Sequence, residues 1–141
     1  MFGLEDLTEP QGMGQDGSIS YFMLSLLQIA DQAKIIHWQT LYDREHRHYG
    51  AFYEEFIGQM DTLVEAIAGK YGKPNLSFGQ AAIMVYDYDM AVDKFFELVN
   101  ESLCGTFCQL FDREKDSELY NLVDEILDLR NKTQYLLQFK P

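Results

Sequence analysis

Cationic residues are scarce in this chain. Its 141 residues include 11 Lys and Arg against 23 Asp and Glu, a net charge of −12. A domain this acidic repels nucleic-acid phosphates and anionic membrane surfaces, so neither is an expected partner. No Lys or Arg precedes Lys34, so the basic start of a secretory leader is missing. No run of about 18 apolar residues, the length that crosses a bilayer, occurs. Two cysteines, Cys104 and Cys108, are too few for a disulfide framework. Spaced i,i+4, they are expected to lie reduced in a core or an interface. There is no Gly-rich phosphate loop, no Ser/His/Asp set and no zinc-type Cys/His cluster. No segment alternates apolar with polar residues as a half-buried strand would. These absences predict an intracellular, cytoplasmic, soluble protein without β-structure.

Apolar residues are plentiful, at 47%, with nine Tyr and ten Phe. The length is that of one domain with a core of its own. Residues 1–17 carry Pro10, Gly12, Gly14 and Gly17 without periodicity and read as a flexible N-terminal arm. Residues 18–141 read as four helices. The first runs from Ser18 or Ser20 to about Leu41, apolar on more than one face and hence buried on more than one side. The second runs from about Glu45 to Tyr71, with Phe52, Phe56, Met60, Leu63, Val64 and Ile67 at the 3–4 spacing of a buried stripe, and stops at Gly72 and Pro74. The third spans about Val85 to Phe111. The fourth spans about Ser117 to Phe139. A short helical turn is expected at Phe78–Met84, in the connection between helices two and three. That connection has about 12 residues, enough for a lengthwise crossover or for a plain up-down-up-down order. The fold class is therefore all-α, a four-helix bundle.

The residues able to carry chemistry are His37, His46, Asp61 and Glu65. Imidazoles with carboxylates suit iron, zinc, manganese or cobalt. Asp61 and Glu65 share a helix face, four apart, and Gly69 leaves room above them. They lie 15 and 19 residues after His46, about 22 and 28 Å along a helix. One chain cannot bring all four together. A shared site would need the carboxylates of a second, antiparallel copy.

The stretch His37-Trp38-Gln39, then His46, then Gln59-Met60-Asp61-x-x-x-Glu65 resembles the Dps mini-ferritins of the ferritin-like superfamily. The intervals from the second His to the Asp and the Glu match that family. The run Leu122-Val123-Asp124-Glu125-Ile126 to Lys132-x-x-Tyr135-Leu136-Leu137 is similar to its last helix. The resemblance covers residues 18–140. It implies a ferritin-like bundle, assembled from two-fold dimers into a hollow homo-oligomer, a dodecamer. It further implies Fe(II) oxidation by O₂ or peroxide at inter-subunit sites and storage of ferric iron. His37 and His46 of one copy, with Asp61 and Glu65 of another, would be the catalytic and metal-binding residues. Zn or Mn are the other metals such a set could take.

The chain departs from that pattern. His37 and His46 are nine apart where the family commonly has twelve. The position four after His46, usually Asp, is Gly50; the Arg usually found after the Glu is Ala66. His48 and Glu54 are the nearest substitutes for the missing ligand, though neither occupies its position. A structural alternative follows: a ferritin-like shell or virion-associated component that has lost turnover. A metal-free dimeric binding module is a third reading. His46 and His48 would then be a solvated helix start, Asp61 and Glu65 an acidic stripe, and Trp38 a packing residue. Asp112, Asp116 and Glu118 are candidates for a pore or shell lining.

Overall fold

The computed structural model describes residues 14–76 and 86–139, and among them the chain is all-α. Helix α1 spans Gly14–Gln39 and α2 spans Asp43–Tyr71. Helix α3 covers 92–110, as Val92–Asn100, a π turn at Glu101–Thr106, and Phe107–Leu110. Helix α4 spans Ser117–Leu136. No described helix is long and apolar enough to cross a membrane. The helical turn expected at Phe78–Met84 and residues 1–13 of the expected arm lie outside the described residues.

Three boundaries differ from the sequence reading by more than two residues. Helix α1 starts four residues earlier than Ser18, so 14–17 are helical rather than arm. Gly17 is already buried there, so packing extends the helix past its local cap signal. Helix α3 starts at Val92, not Val85. Gln32 of α1 is buried, and its amide pairs twice with the main chain of Asp87: Nε2 donates to the carbonyl and Oε1 accepts from the amide, both at 2.9 Å. That pairing holds residue 87 outside a helix, and a turn follows at Tyr88–Asp89. Helix α4 ends at Leu136, short of Phe139.

Contacts run α1 to α2, α2 to α4, α4 to α3 and α3 to α1, a closed ring around one core. Aromatic residues fill it. Phe95 meets Tyr49 and Phe52 edge-on at 5.2 and 5.4 Å, and Phe22 packs on Phe107 at 5.6 Å. Each such ring pair adds about 0.5–1.5 kcal/mol beyond its burial. These pairs also set direction. The start of α3 lies beside the start of α2, and Phe111, after its end, lies against Tyr71 at the end of α2. So α2 and α3 run parallel: the chain leaves α2 at one end of the body, at Tyr71, and enters α3 at the other, at Val92. Of the two orders the spacing left open, the lengthwise crossover is the one found.

The π turn sits where Ser102 is buried against α1. Its hydroxyl meets that of Ser25 at 2.5 Å, and Ser25 also donates to the Phe22 carbonyl. A π turn takes more residues per turn than an α-helix and shifts the faces beyond it. Cys104 lies in this turn and Cys108 just after it, and both are exposed, which removes the core from the two places expected for them and leaves the interface.

At the end where α2 stops and α4 begins, Asp116 is 1% exposed. Its Oδ1 accepts from Tyr71 Oη at 2.5 Å and pairs with Lys70 Nζ at 2.9 Å; its Oδ2 accepts the Asp112 amide at 2.9 Å. Lys70 also reaches Glu118 at 2.7 Å and the Lys115 carbonyl at 2.6 Å. Asp116 is thus a buried tie between three segments, not the exposed lining residue the sequence suggested.

Candidate functional site

The opposite end is the hairpin between α1 and α2. Three residues, 40–42, join the helices, so the last turn of α1 faces the first of α2. That places His37 on His46. Their rings stack with centroids 4.0 Å apart and planes 16° from parallel. Each ring is tied to the other residue's backbone. His37 Nδ1 lies 2.5 Å from the His46 carbonyl oxygen, and His46 Nδ1 lies 2.8 Å from the His37 carbonyl oxygen. A carbonyl only accepts, so both Nδ1 atoms carry the proton. In each neutral ring Nε2 is left as the lone-pair nitrogen, the tautomer that binds metal.

Gly50 lies one turn after His46, beneath the His37 ring. A Cβ at 50 would stand 2.7 Å from His37 Cε1 and 2.8 Å from Nδ1. No side chain fits without moving the imidazole. The glycine at the expected ligand position is therefore the seat of the histidine ring. The sequence carried the signal, a glycine one turn past the second histidine, but it reads there only as a missing ligand. Gly58 and Gly69 of the same helix have open space where their Cβ would be.

Asp61 and Glu65 are exposed on α2, in one unbroken helix with His46. The structure brings His37 and His46 together and leaves the two carboxylates apart from them within one chain. Neither carboxylate makes an ion pair among the described residues. No group of three or more His, Cys, Asp or Glu placed to hold an ion occurs among the described residues. Glu54 is exposed on α2. At His48, burial first, then the charges of Arg47 and Arg44, lower the pKa, against a smaller opposing pull from Asp43.

The surroundings are apolar and open. Trp38 is 70% exposed, Leu41 96% and Tyr42 65%. Trp38 is thus not a core residue; the Lys34 ammonium lies 5.7 Å from its ring and 4.5 Å from that of Tyr53. Tyr42 occupies the N-cap of α2 and offers no side-chain cap. Thr40 donates to Glu45 at 2.9 Å and accepts the Tyr42 amide at 3.2 Å, which shapes the turn. Arg44 Nη1 donates to the Phe139 carbonyl and so ties the end of α4 to the hairpin.

An all-helical protein with a reciprocally tethered imidazole pair at a hairpin is the class these observations define. The chain belongs to DUF5856, a family of unknown function, whose match covers residues 37–137 and so begins at His37. No curated protein and no solved structure matches it.

Proposed function

We propose that this chain is a Dps-like iron protein with a ferritin-like four-helix bundle. Fe(II) is the substrate, bound where His37 and His46 of one copy meet Asp61 and Glu65 of a second, and oxidised there by O₂ or peroxide. Ferric iron is stored in a hollow homo-oligomer, a dodecamer built from two-fold dimers.

The observation that carries this reading is the pair of imidazole–carbonyl hydrogen bonds. They fix both rings as Nδ1–H tautomers with Nε2 left for a metal. Two exposed carboxylates without ion-pair partners among the described residues, one turn apart on the same helix, are the complementary half. The lengthwise crossover agrees with a ferritin-like order. Nearly parallel rings do not aim two in-plane lone pairs at one point. Each imidazole would therefore serve its own ion, and the carboxylates would offset the charge of ferric iron.

Gly50 favours a second reading. A carboxylate at that position is sterically excluded while the His37 ring stays where it is. The same interlock could serve only to fix the hairpin in an assembly protein that does not turn over iron.

The deciding experiment follows Fe(II) oxidation on the purified assembly, with O₂ and then peroxide, beside an anaerobic Fe(II) titration. On the first reading oxidation exceeds the buffer rate, and Asp61→Ala/Glu65→Ala abolishes the excess without lowering the assembly mass, near twelve times 16.4 kDa. A rate equal to buffer, or one unchanged in that variant, would replace catalysis with the scaffold.

A further inference from the structure

The hairpin end also holds a groove that iron chemistry does not use. Leu41, Tyr42 and Phe139 form its apolar side; Arg44, Arg47 and His48 form its cationic side, with Asp43 at the edge. Its volume is about 670 Å³, within the range of ligand sites. In a chain of net charge −12 this is a local concentration of positive charge. Asp43 cancels part of it through its 2.8 Å pair with Arg47. The uncapped first turn of α2 adds to it, because free amides there carry a partial positive charge. Arg44 Nε is buried with no hydrogen-bond partner among the described residues, whereas nearly all buried donors are paired. An occupant would have to be apolar and anionic together.

Residues 1–13 of this chain have that chemistry. Phe2, Leu4 and Leu7 interleave with Glu5, Asp6 and Glu9, and no Lys, Arg or His occurs among them. We propose that residues 2–9 of one copy dock in this groove of a second copy. Apolar side chains would lie against Leu41, Tyr42 and Phe139, and carboxylates on Arg44 and Arg47.

Reach selects the second copy. Helix α1 has 26 residues, which places Gly14 about 39 Å from the hairpin. Even fully extended, the nine residues from Gly14 back to Glu5 span at most about 32 Å, and the five back to Glu9 about 18 Å. Arg47 lies about 7 Å nearer than the hairpin tip, yet Glu9 stays far out of range, so a chain cannot lay its whole acidic run in its own groove. The resulting contact is an exchange of arms between copies, and it does not depend on iron.

The test uses the full chain with photoreactive benzoylphenylalanine in place of Phe2. Light and heavy nitrogen-labelled copies are mixed, crosslinked and mapped by mass spectrometry. The expected result is crosslinks to residues 41–48 or 139 that join a light copy to a heavy one. Arg44→Gln/Arg47→Gln should lower their yield at least tenfold. So should Glu5→Gln/Asp6→Asn/Glu9→Gln, which changes no residue of the described helices and so guards against misfolding. Crosslinks within one copy, crosslinks to another surface, or yields unchanged by neutralising the arm would each overturn the proposal.

Discussion

The two ends of the helical body treat polar groups in opposite ways. Where α2 stops and α4 begins, one buried carboxylate gathers a phenol, an ammonium and a backbone amide, and its needs are met within the chain. At the hairpin, two imidazoles each satisfy one nitrogen, a helix starts without a side-chain cap, and an arginine nitrogen is buried without a partner among the described residues. Leu41, Tyr42 and Trp38 stand in solvent beside them. The first end is built as a fastening. The second leaves donors, lone pairs and apolar surface available.

Removing the fastening should have the largest effect. Asp116→Ala orphans the partners of a buried carboxylate and is expected to cost about 2–3 kcal/mol in urea unfolding. The pH dependence has a defined sign. Burial alone would raise the Asp116 carboxyl, but hydrogen bonds from Tyr71, Lys70 and the Asp112 amide outweigh it and hold it below its ordinary 3.8. A depressed pKa contributes stability that is present above 3.8 and lost as pH falls through the lower, folded value. The margin of the native chain over Asp116→Asn should therefore be constant near neutrality and shrink only below about pH 4. A margin that changes near pH 6 would assign the tie to another group.

At the hairpin the sharper test is a change of sign. Gly50→Ala forces a Cβ against the His37 ring and should cost about 1–2 kcal/mol. In a His37→Ala background the ring is gone. There the same change should stabilise by about 0.5–1 kcal/mol, the usual gain of Ala over Gly in a helix. Gly58→Ala, with open space around it, should stabilise by about that amount in either background. A cost at 50 that survives removal of His37 would show that the ring is not what excludes a side chain.

Smaller effects separate the ends further. Tyr42→Ser supplies the missing cap of α2 and should add about 0.5–1 kcal/mol. Arg47→Gln breaks only an exposed pair with Asp43 and should change stability by less than about 0.5 kcal/mol.

The helices were legible because their core faces repeat. Phe52, Phe56, Met60, Leu63 and Ile67 are all buried, as are Leu119, Val123, Ile126 and Leu129, at the spacing read from the chain. The separation of His46 from Asp61 and Glu65 was legible too, since one unbroken helix fixes it. Other features depend on contacts between elements distant in sequence. Nothing local distinguishes Asp116 from the other acidic residues; its burial comes from Lys70 and Tyr71. Gly50 becomes a seat only once His37 lies over it. The start of α3 is set by Gln32, 55 residues before Asp87 in the chain. The π turn has no pattern of its own and is seen only through the outward turn of Cys104 and Cys108.

The contact between His37 and Gly50 also orders the paths by which such a sequence can change. A carboxylate cannot enter at 50 while the imidazole occupies that space, and the imidazole keeps its position only while 50 lacks a side chain. Position 50 cannot vary first, so substitutions there must arrive in sequence, with His37 yielding before Gly50. In descendants of this chain, glycine at 50 should persist wherever histidine at 37 does, and side chains at 50 should be confined to lineages that have already lost it.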